Sequence, residues 1–591
     1  MAVWVLGGKT RPRTAGTEDG AGFKKMIEWN GKAAVWVFIT FGLFILALIT
    51  ALMLPIELPI GPSFWDTYIY IDGAYRMEQG QEIYRDFQAP VGPLSYVLFG
   101  LLHTLFADAN VVLLVQWCMI IVTAPVMALI CWSAHERGAF AAFALLVPFV
   151  IFSVLPFNVM NWNVFPGVDG FSYYNRHGAV LLYLLVASLF FLRSRPALIA
   201  ALSVLLLALA FTKINAFVAA GVILFAAVLT RRIGLTTSLA VAAVCLGLTA
   251  LLELATGVVS AYILSVFRLL ENNTGVLLQN IMFTVSMRFD VIVAAALLAL
   301  YLMISRIRGA QDLIGQFDRG HGRRPTPNRL DQDWVWLGVL IVANILYESQ
   351  NFGSAAFISI WPLLVVLLIA TPLPKIAARP VMVVLIALVA LPTATKVMHA
   401  AVRAAASTIR DVSIPTPNLQ PSINLSAKTL TMEAAEKSRL VMAEGRGTYE
   451  LYAQAEILPH YWLYFDHRFQ VNVLETMDQV IAAIHGREAE TGHRYEVIDL
   501  RDFANPITAA MGRTPAKGVA IGGDPYRAAV PLTEEETRML AQSDLVLLPT
   551  CPVTSAREKL LSDYAAAYDG FRRIRLTDCF DALENPKFSA N

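Results

Sequence analysis

Apolar residues in this chain arrive in long uninterrupted runs, and the runs stop abruptly two thirds of the way along. Ala33 to Leu54, Val111 to Ala134 and Leu198 to Phe211 exceed what a soluble core holds in sequence. Backbone polar groups in hydrocarbon must pair within their own segment, so such runs are expected to be helices that cross a membrane. Reading them in order predicts spans near 34–54, 111–134, 139–157, 179–193, 197–212, 216–230, 235–252, 289–305, 334–348, 355–373 and 381–395. Several are shorter than the ~20 residues of a straight span. The first run is too long for a signal-peptide core and leads into Pro55 and Pro59, so it is expected to stay in the protein.

From about Lys396 the pattern changes. Charged residues rise, and short apolar runs at Tyr495–Leu500, Leu545–Pro549 and Phe571–Leu576 predict buried strands. Thr533 with Glu536, and Ser555 with Glu558, have capping-box spacing and predict two helix starts. The expected architecture is an α-helical polytopic membrane protein of about eleven transmembrane helices with a C-terminal extracytoplasmic α/β domain. Its parts are a cytoplasmic segment 1–33, a transmembrane module 34–395 and an outer domain 396–591.

Composition agrees: of 591 residues, 57% are hydrophobic and 15% charged, against roughly 25% charged in ordinary soluble domains. The net charge of +1 gives no basic footprint, and no nucleic-acid partner is expected. The distribution of charge is more informative. With the N-terminus in the cytoplasm, the segments assigned inside carry 19 Lys or Arg and the longer short-loop segments assigned outside carry 6. The inverted orientation would place Arg231-Arg232 and the Arg-rich loop from Arg306 to Arg329 outside, which the positive-inside rule rejects. Cys118, Cys131 and Cys245 fall in apolar helices as packing residues. Cys551 and Cys579 follow two predicted strands. Parallel neighbours joined by the helix from Ser555 would bring them together as a disulfide; two buried thiols fit the sequence equally well.

Ionisable residues are expensive in a bilayer, so their positions are informative. Under this topology four polar groups share the outer side. The loop after the first span holds Asp66, Asp72, Arg76, Glu78, Glu82, Arg85 and Asp86 among aromatic residues. Asp66 and Tyr70 are at helical spacing and share a face; a helix along the membrane surface would explain the mixture, as would a solvated interfacial loop. Asp169, Tyr173, Asn175, Arg176 and His177 precede the fourth predicted span, either as caps and turn or as a polar site. Metal binding at His177 is the minority reading. Lys213 stands alone between two apolar runs, either snorkelling or facing a phosphate or carboxylate. Glu348-Ser349-Gln350-Asn351 returns amide donors to the same level. Acids beside aromatics suit a sugar, and cations at the interface suit a lipid-linked phosphate.

The order Asp66, Tyr70, Gly80, Tyr84, Asp86-Phe87, Gly92-Pro93-Leu94 resembles the first-loop signature of the GT-C superfamily, in the bacterial branch near protein O-mannosyltransferases and the lipid A aminoarabinose transferase. The likeness is specific across about 64–100, and Asn175-Arg176 and Lys213 support it. The second acid of that pattern is Thr67 here. The resemblance implies an inverting glycosyltransferase that moves a sugar from a polyprenyl-phosphate donor to an acceptor hydroxyl. It makes Asp66 the base, with Asp72 or Asp169 as the source of any second acid. Lys213, Arg176 and His177 are the expected phosphate side. Tyr70, Arg76, Asp169, Tyr173, Asn175, Gln350 and Asn351 are the expected substrate side. With no acid adjacent to Asp66, chemistry without a divalent metal and without cofactor is expected. The acceptor is a glycan, a lipid or a protein, with membrane lipid around the chain. The expected location is a bacterial inner membrane, with the site and outer domain on the periplasmic side. Rival readings are a transporter or flippase for a lipid-linked glycan, and an O-antigen-ligase-like transferase.

Overall fold

The computed structural model describes residues 18–159, 165–272, 277–308, 312–319, 328–350, 353–370, 379–419 and 423–588. Every predicted span coincides with a helix, but helix length separates them. Six described helices are long and apolar enough to cross a bilayer: Val35–Leu52 within Glu18–Leu52, Tyr173–Phe191, Arg195–Thr212, Leu235–Thr256, Phe289–Ile307, and Pro380–Arg410. Val111–Trp117 and Ile120–His135, bent by 44°, make a seventh if taken as one span. Ala139–Val154 and Ile214–Leu229 have 16 residues each, so at ~1.5 Å per residue they fall short of a ~30 Å hydrocarbon layer. The last helix continues to Ser407, past the expected boundary at Lys396.

Exposure sorts these helices by neighbour. Val35–Leu52 and Leu235–Thr256 are strongly apolar yet only 17% and 11% of their residues are buried, as helices facing lipid would be. Tyr173–Phe191 is 94% buried and forms the axis of the bundle. Gly178 lets Tyr347 approach that axis: a Cβ there would lie 2.4 Å from the Tyr347 hydroxyl oxygen.

The two ends of the bundle differ as the charge pattern predicts. At one end Arg232 pairs with Asp318 at 3.2 Å and Asp331 at 3.4 Å, and Arg193 pairs with Glu136 at 2.7 Å. These belong to four segments that charge counting assigned to one side. At the other end the loop 55–110 meets residues 168–172, the Thr212 carbonyl beside Lys213 and the C-terminal domain.

That domain is built on a five-stranded mixed sheet. Its order is Thr514–Pro515, Val497–Leu500, Leu545–Pro549, Phe580–Glu584 and Arg572–Arg575. Long helices Thr429–Glu444 and His467–Thr491 precede it. Cys551 and Cys579 are bridged, with Cα atoms 4.9 Å apart. The expected reason is corrected: Leu545–Pro549 pairs antiparallel with Phe580–Glu584, matching Phe580 with Pro549. The Phe571–Leu576 segment lies one strand further out, antiparallel to Phe580–Glu584. The capping box at Thr533 and Glu536 is present. In the second predicted box the cap is Thr554, not Ser555, and its hydroxyl accepts from the Arg557 N–H.

Two strand pairings, and hydrogen bonds from the buried Asp72–Arg76 pair to Asn505 and Ala516, fix this domain to the first loop. Leu58–Pro59 runs parallel to Leu425–Ser426, and Phe87–Gln88 parallel to Val519–Ala520. The helix Asp66–Glu78 is therefore largely buried between bundle and outer domain, instead of lying along the membrane surface.

Candidate functional site

Asp66 opens this buried helix and is 4% exposed. Its carboxylate accepts the Ser172 backbone N–H at 2.8 Å. Burial pushes its pKa up to about 7; Asp169 adds to the rise, while the Ser172 N–H, Arg176 and Lys213 oppose it. Thr67, in the place of the pattern's second acid, shares a hydrogen bond of 3.2 Å with the Tyr173 hydroxyl. Tyr70 is fully buried in an aromatic group, with ring centroids 5.4 Å from Tyr96 and 5.7 Å from Tyr173.

Lys213 owes its position to a break between helices. Its extended backbone (φ −161°) ends Arg195–Thr212 and caps Ile214–Leu229. The Gly92 N–H donates to the Thr212 carbonyl at 3.0 Å, so the first loop is seated on the helix end that carries Lys213. Its ammonium donates to the Asn175 side-chain oxygen at 2.8 Å and lies 4.6 Å from the Tyr174 ring centroid. Enclosure by protein pushes its pKa down to about 7; Arg527 adds to the fall, while Glu348 and Asp66 oppose it.

The structure gives several predicted site residues other work. Asp72 donates nothing to the Asp66 neighbourhood: one oxygen accepts from Arg76 Nε at 2.6 Å and the other from the Asn505 N–H at 2.9 Å. Arg76 also donates to the Ala516 carbonyl at 2.5 Å. Both residues are thereby assigned to the joint with the outer domain. Arg176 donates to Gln116 Oε1 (2.8 Å), the Phe171 carbonyl (2.9 Å) and the Asp169 carbonyl (3.1 Å), with its guanidinium 4.4 Å from the Tyr173 ring centroid. It positions the 169–171 turn. Asp169 closes that turn by accepting the N–H groups of Phe171 and Asn158. His177 shares a hydrogen bond with the Gln116 carbonyl. Asn175 donates to the Gly353 carbonyl at 3.0 Å while accepting from Lys213, which makes it a holder of the lysine. Gln350 is half-buried at the end of Asp333–Glu348, and Asn351 lies outside the described residues.

Sequence reasoning missed the outer domain's share. The Ile521 N–H donates to the Gln88 carbonyl at 2.9 Å, and Gly522 packs against Pro90 and Ile69, beside the helix that Asp66 opens. Tyr464 is half-buried; desolvation raises its pKa, and Asp524, Asp502 and Asp66 add to the rise. Only the Gly522-Gly523-Asp524 turn signal marks this segment in the sequence. Among the described residues, no three His, Cys, Asp or Glu side chains converge as ligands for an ion.

No family model matches the chain, and no curated protein does. Two solved structures are similar over nearly its full length. One is the crystal structure of ArnT from Cupriavidus metallidurans in the apo state, 12% identical, covering 94% of this chain and 98% of that one at a TM-score of 0.40. The other is ArnT from the same organism bound to undecaprenyl phosphate, 11% identical, covering 92% and 97% at a TM-score of 0.40.

Proposed function

We propose that this chain is an inverting glycosyltransferase that takes a sugar from a polyprenyl-phosphate donor and joins it to an acceptor hydroxyl at the outer face of a membrane. The observation that carries the reading is that Asp66, through the Ser172 N–H, and Lys213, through the Asn175 side chain, are both held at the start of the helix Tyr173–Phe191. In-line displacement needs a base on the acceptor side and positive charge on the leaving phosphate. Asp66, raised to about 7, is matched to accept a hydroxyl proton near neutral pH. Lys213 stabilises the charge that develops on the departing lipid phosphate.

Tyr174, half-buried with the Lys213 ammonium 4.6 Å from its ring centroid, supplies aromatic surface suited to the apolar face of a sugar ring. The Cys551–Cys579 bridge supports an oxidising compartment, and hence the outer side, for the C-terminal domain. That side has no access to cytosolic nucleotide sugars, which favours a lipid-linked donor.

The test is transfer of radiolabelled sugar from lipid-linked donors in membranes, wild type against Asp66→Asn. Loss of transfer with unchanged expression and unchanged donor binding is expected. Turnover within tenfold of wild type would remove Asp66 as the base.

A further inference from the structure

The helix that Asp66 opens has no side-chain cap of its own, and residues 62–65 ahead of it form a tight turn. Ser63 stands in that turn at φ +52°, a strained conformation outside glycine that persists only where its surroundings fix it. Two parts of the protein do so. On the bundle side, the Gly170 N–H donates to the Pro62 carbonyl at 3.1 Å, and a Cβ on Gly170 would lie 2.6 Å from the Phe64 Cα. On the other side stands the outer domain. The Ser63 N–H donates to the Tyr464 carbonyl at 2.8 Å, and the Phe64 N–H donates to the Gln470 side-chain oxygen at 2.9 Å.

Gln470 is 2% exposed, and its amide nitrogen donates to the Tyr464 and Leu463 carbonyls at 3.0 and 3.2 Å. One buried amide therefore holds Phe64 directly and, through Tyr464, Ser63. The Ser63 carbonyl in turn accepts the Asp66 N–H at 3.2 Å. The Trp65 ring stacks on His460, with centroids 5.0 Å apart, and meets Phe469 edge-on at 5.2 Å. His460 is itself fixed, sharing a hydrogen bond of 2.7 Å with the Thr554 hydroxyl. The N–H groups at a helix start need partners from outside the helix. Here the turn that leads into the helix takes them from a segment 406 residues later in the chain.

We propose that Gln470 is a positioning residue for Asp66: by fixing the turn 62–65 it sets where the carboxylate stands against the Ser172 N–H. This rests on the reading of Asp66 as the base.

The experiment measures transfer in membranes that contain the full-length chain, with the radiolabelled lipid-linked sugar fraction of those membranes as donor at varied concentration. Thermal unfolding of each purified chain is followed alongside. Gln470→Met fills the same space without the amide; it is expected to lower kcat about tenfold and leave the donor KM within about twofold. Gln470→Glu keeps an acceptor for the Phe64 N–H and should lie closer to wild type. Gln470→Asn withdraws the amide by one methylene, carries the same expectation as Gln470→Met, and decides the matter if that variant does not accumulate. Glu475→Gln breaks a 2.8 Å pair with Arg439 on the same helix without touching the loop, and should leave kcat unchanged. Wild-type kcat in Gln470→Met and Gln470→Asn, with Asp66→Asn inactive, overturns the positioning role and leaves the base in place. A fall in kcat that Glu475→Gln matches, or that only follows loss of folded protein, overturns it too. Asp66→Asn transferring within about tenfold of wild type, where loss of a general base costs about a hundredfold or more, overturns the base and this role with it.

Discussion

The Lys213 ammonium is held by the side-chain oxygen of Asn175 at 2.8 Å, and the nitrogen of that same amide is fixed on the Gly353 carbonyl at 3.0 Å. The amide therefore cannot turn without giving up one bond or the other. The acceptor that orients the lysine is a neutral amide oxygen. Asn175→Asp would convert the contact to an ion pair that competes with a phosphate. We expect it to raise the donor KM with a smaller effect on kcat. Lys213→Ala should lower kcat/KM roughly ten- to a hundredfold, the value of a charge-assisted hydrogen bond in a partly dry site. Steady-state kinetics with varied donor checks both, and an unchanged donor KM in Asn175→Asp would count against the assignment.

The pH profile follows from the same pair. Asp66 must be ionised to accept a proton and Lys213 must be protonated to hold a phosphate. Burial brings the first up to about 7 and enclosure brings the second down to about 7. For the free enzyme, kcat/KM should trace a narrow bell near neutrality, with both limbs belonging to a coupled pair. Bound phosphate adds negative charge, which raises both pKa values, so the kcat profile should move to higher pH. Lys213→Arg should remove the alkaline limb, because guanidinium stays charged. A flat profile from pH 5 to 9 would contradict the pairing (order-of-magnitude window from ordinary carboxylate and lysine values, about 4 and 10).

Asp72 and Arg76 make a different prediction, because their side chains are 2% and 1% exposed and their partners lie in the outer domain. Removing one member of a buried ion pair costs about 3–5 kcal/mol. Arg76→Ala should loosen the outer domain and expose it to limited proteolysis at temperatures where wild type resists. Asp72→Asn keeps an oxygen for the Asn505 N–H and should retain turnover within about tenfold, unlike Asp66→Asn. Equal loss in the two variants would return Asp72 to the chemistry.

These residues also show what the sequence could carry. Asp66 and Lys213 each stand out locally in the sequence, one at the head of a patterned loop and one between apolar runs. The common end of the bundle was legible from charge, since alternation plus lysine and arginine counts places whole segments at once. The partners of Asp72, Arg76 and Arg176 were not legible, being carbonyls, amides and residues up to 440 positions away, none of which leaves a local mark. The disulfide was reached by a wrong path: Asp581 and Glu584 interrupt the apolar pattern of Phe580–Glu584, hiding the strand that lies between the two predicted ones.

Independence from a divalent ion is a further expectation. The acids nearest Asp66 in function have their oxygens engaged. Asp169 accepts the N–H groups of Phe171 and Asn158, and both Glu348 oxygens lie within hydrogen-bond reach of the Ser354 hydroxyl. Binding a metal there would require these contacts to break. Transfer should therefore persist in EDTA. Activity lost to the chelator and restored by magnesium or manganese would refute this.

The two glycines of the loop pattern should respond differently to the same substitution. A Cβ on Gly92 would lie 2.1 Å from the Phe211 carbonyl oxygen and 2.3 Å from its carbon, both backbone atoms that cannot swing aside. The Gly92 N–H meanwhile donates to Thr212, whose carbonyl is left without a helical partner where Lys213 breaks the helix. Gly92→Ala must push the loop off that helix end and move Lys213 relative to Asp66. A displacement of about 1 Å in a reacting constellation can cost on the order of a hundredfold in rate. Gly80 is glycine for another reason. Its φ is +79° and a Cβ there meets nothing within 4 Å, so Gly80→Ala brings only backbone strain of about 1 kcal/mol. We expect Gly92→Ala to insert and fold but transfer at about one hundredth of the wild-type rate, and Gly80→Ala to remain close to wild type. Comparing transfer rates at matched expression decides it: equal activity in the two variants would mean that the seating of the loop on the Lys213 helix end does not set the geometry of the site.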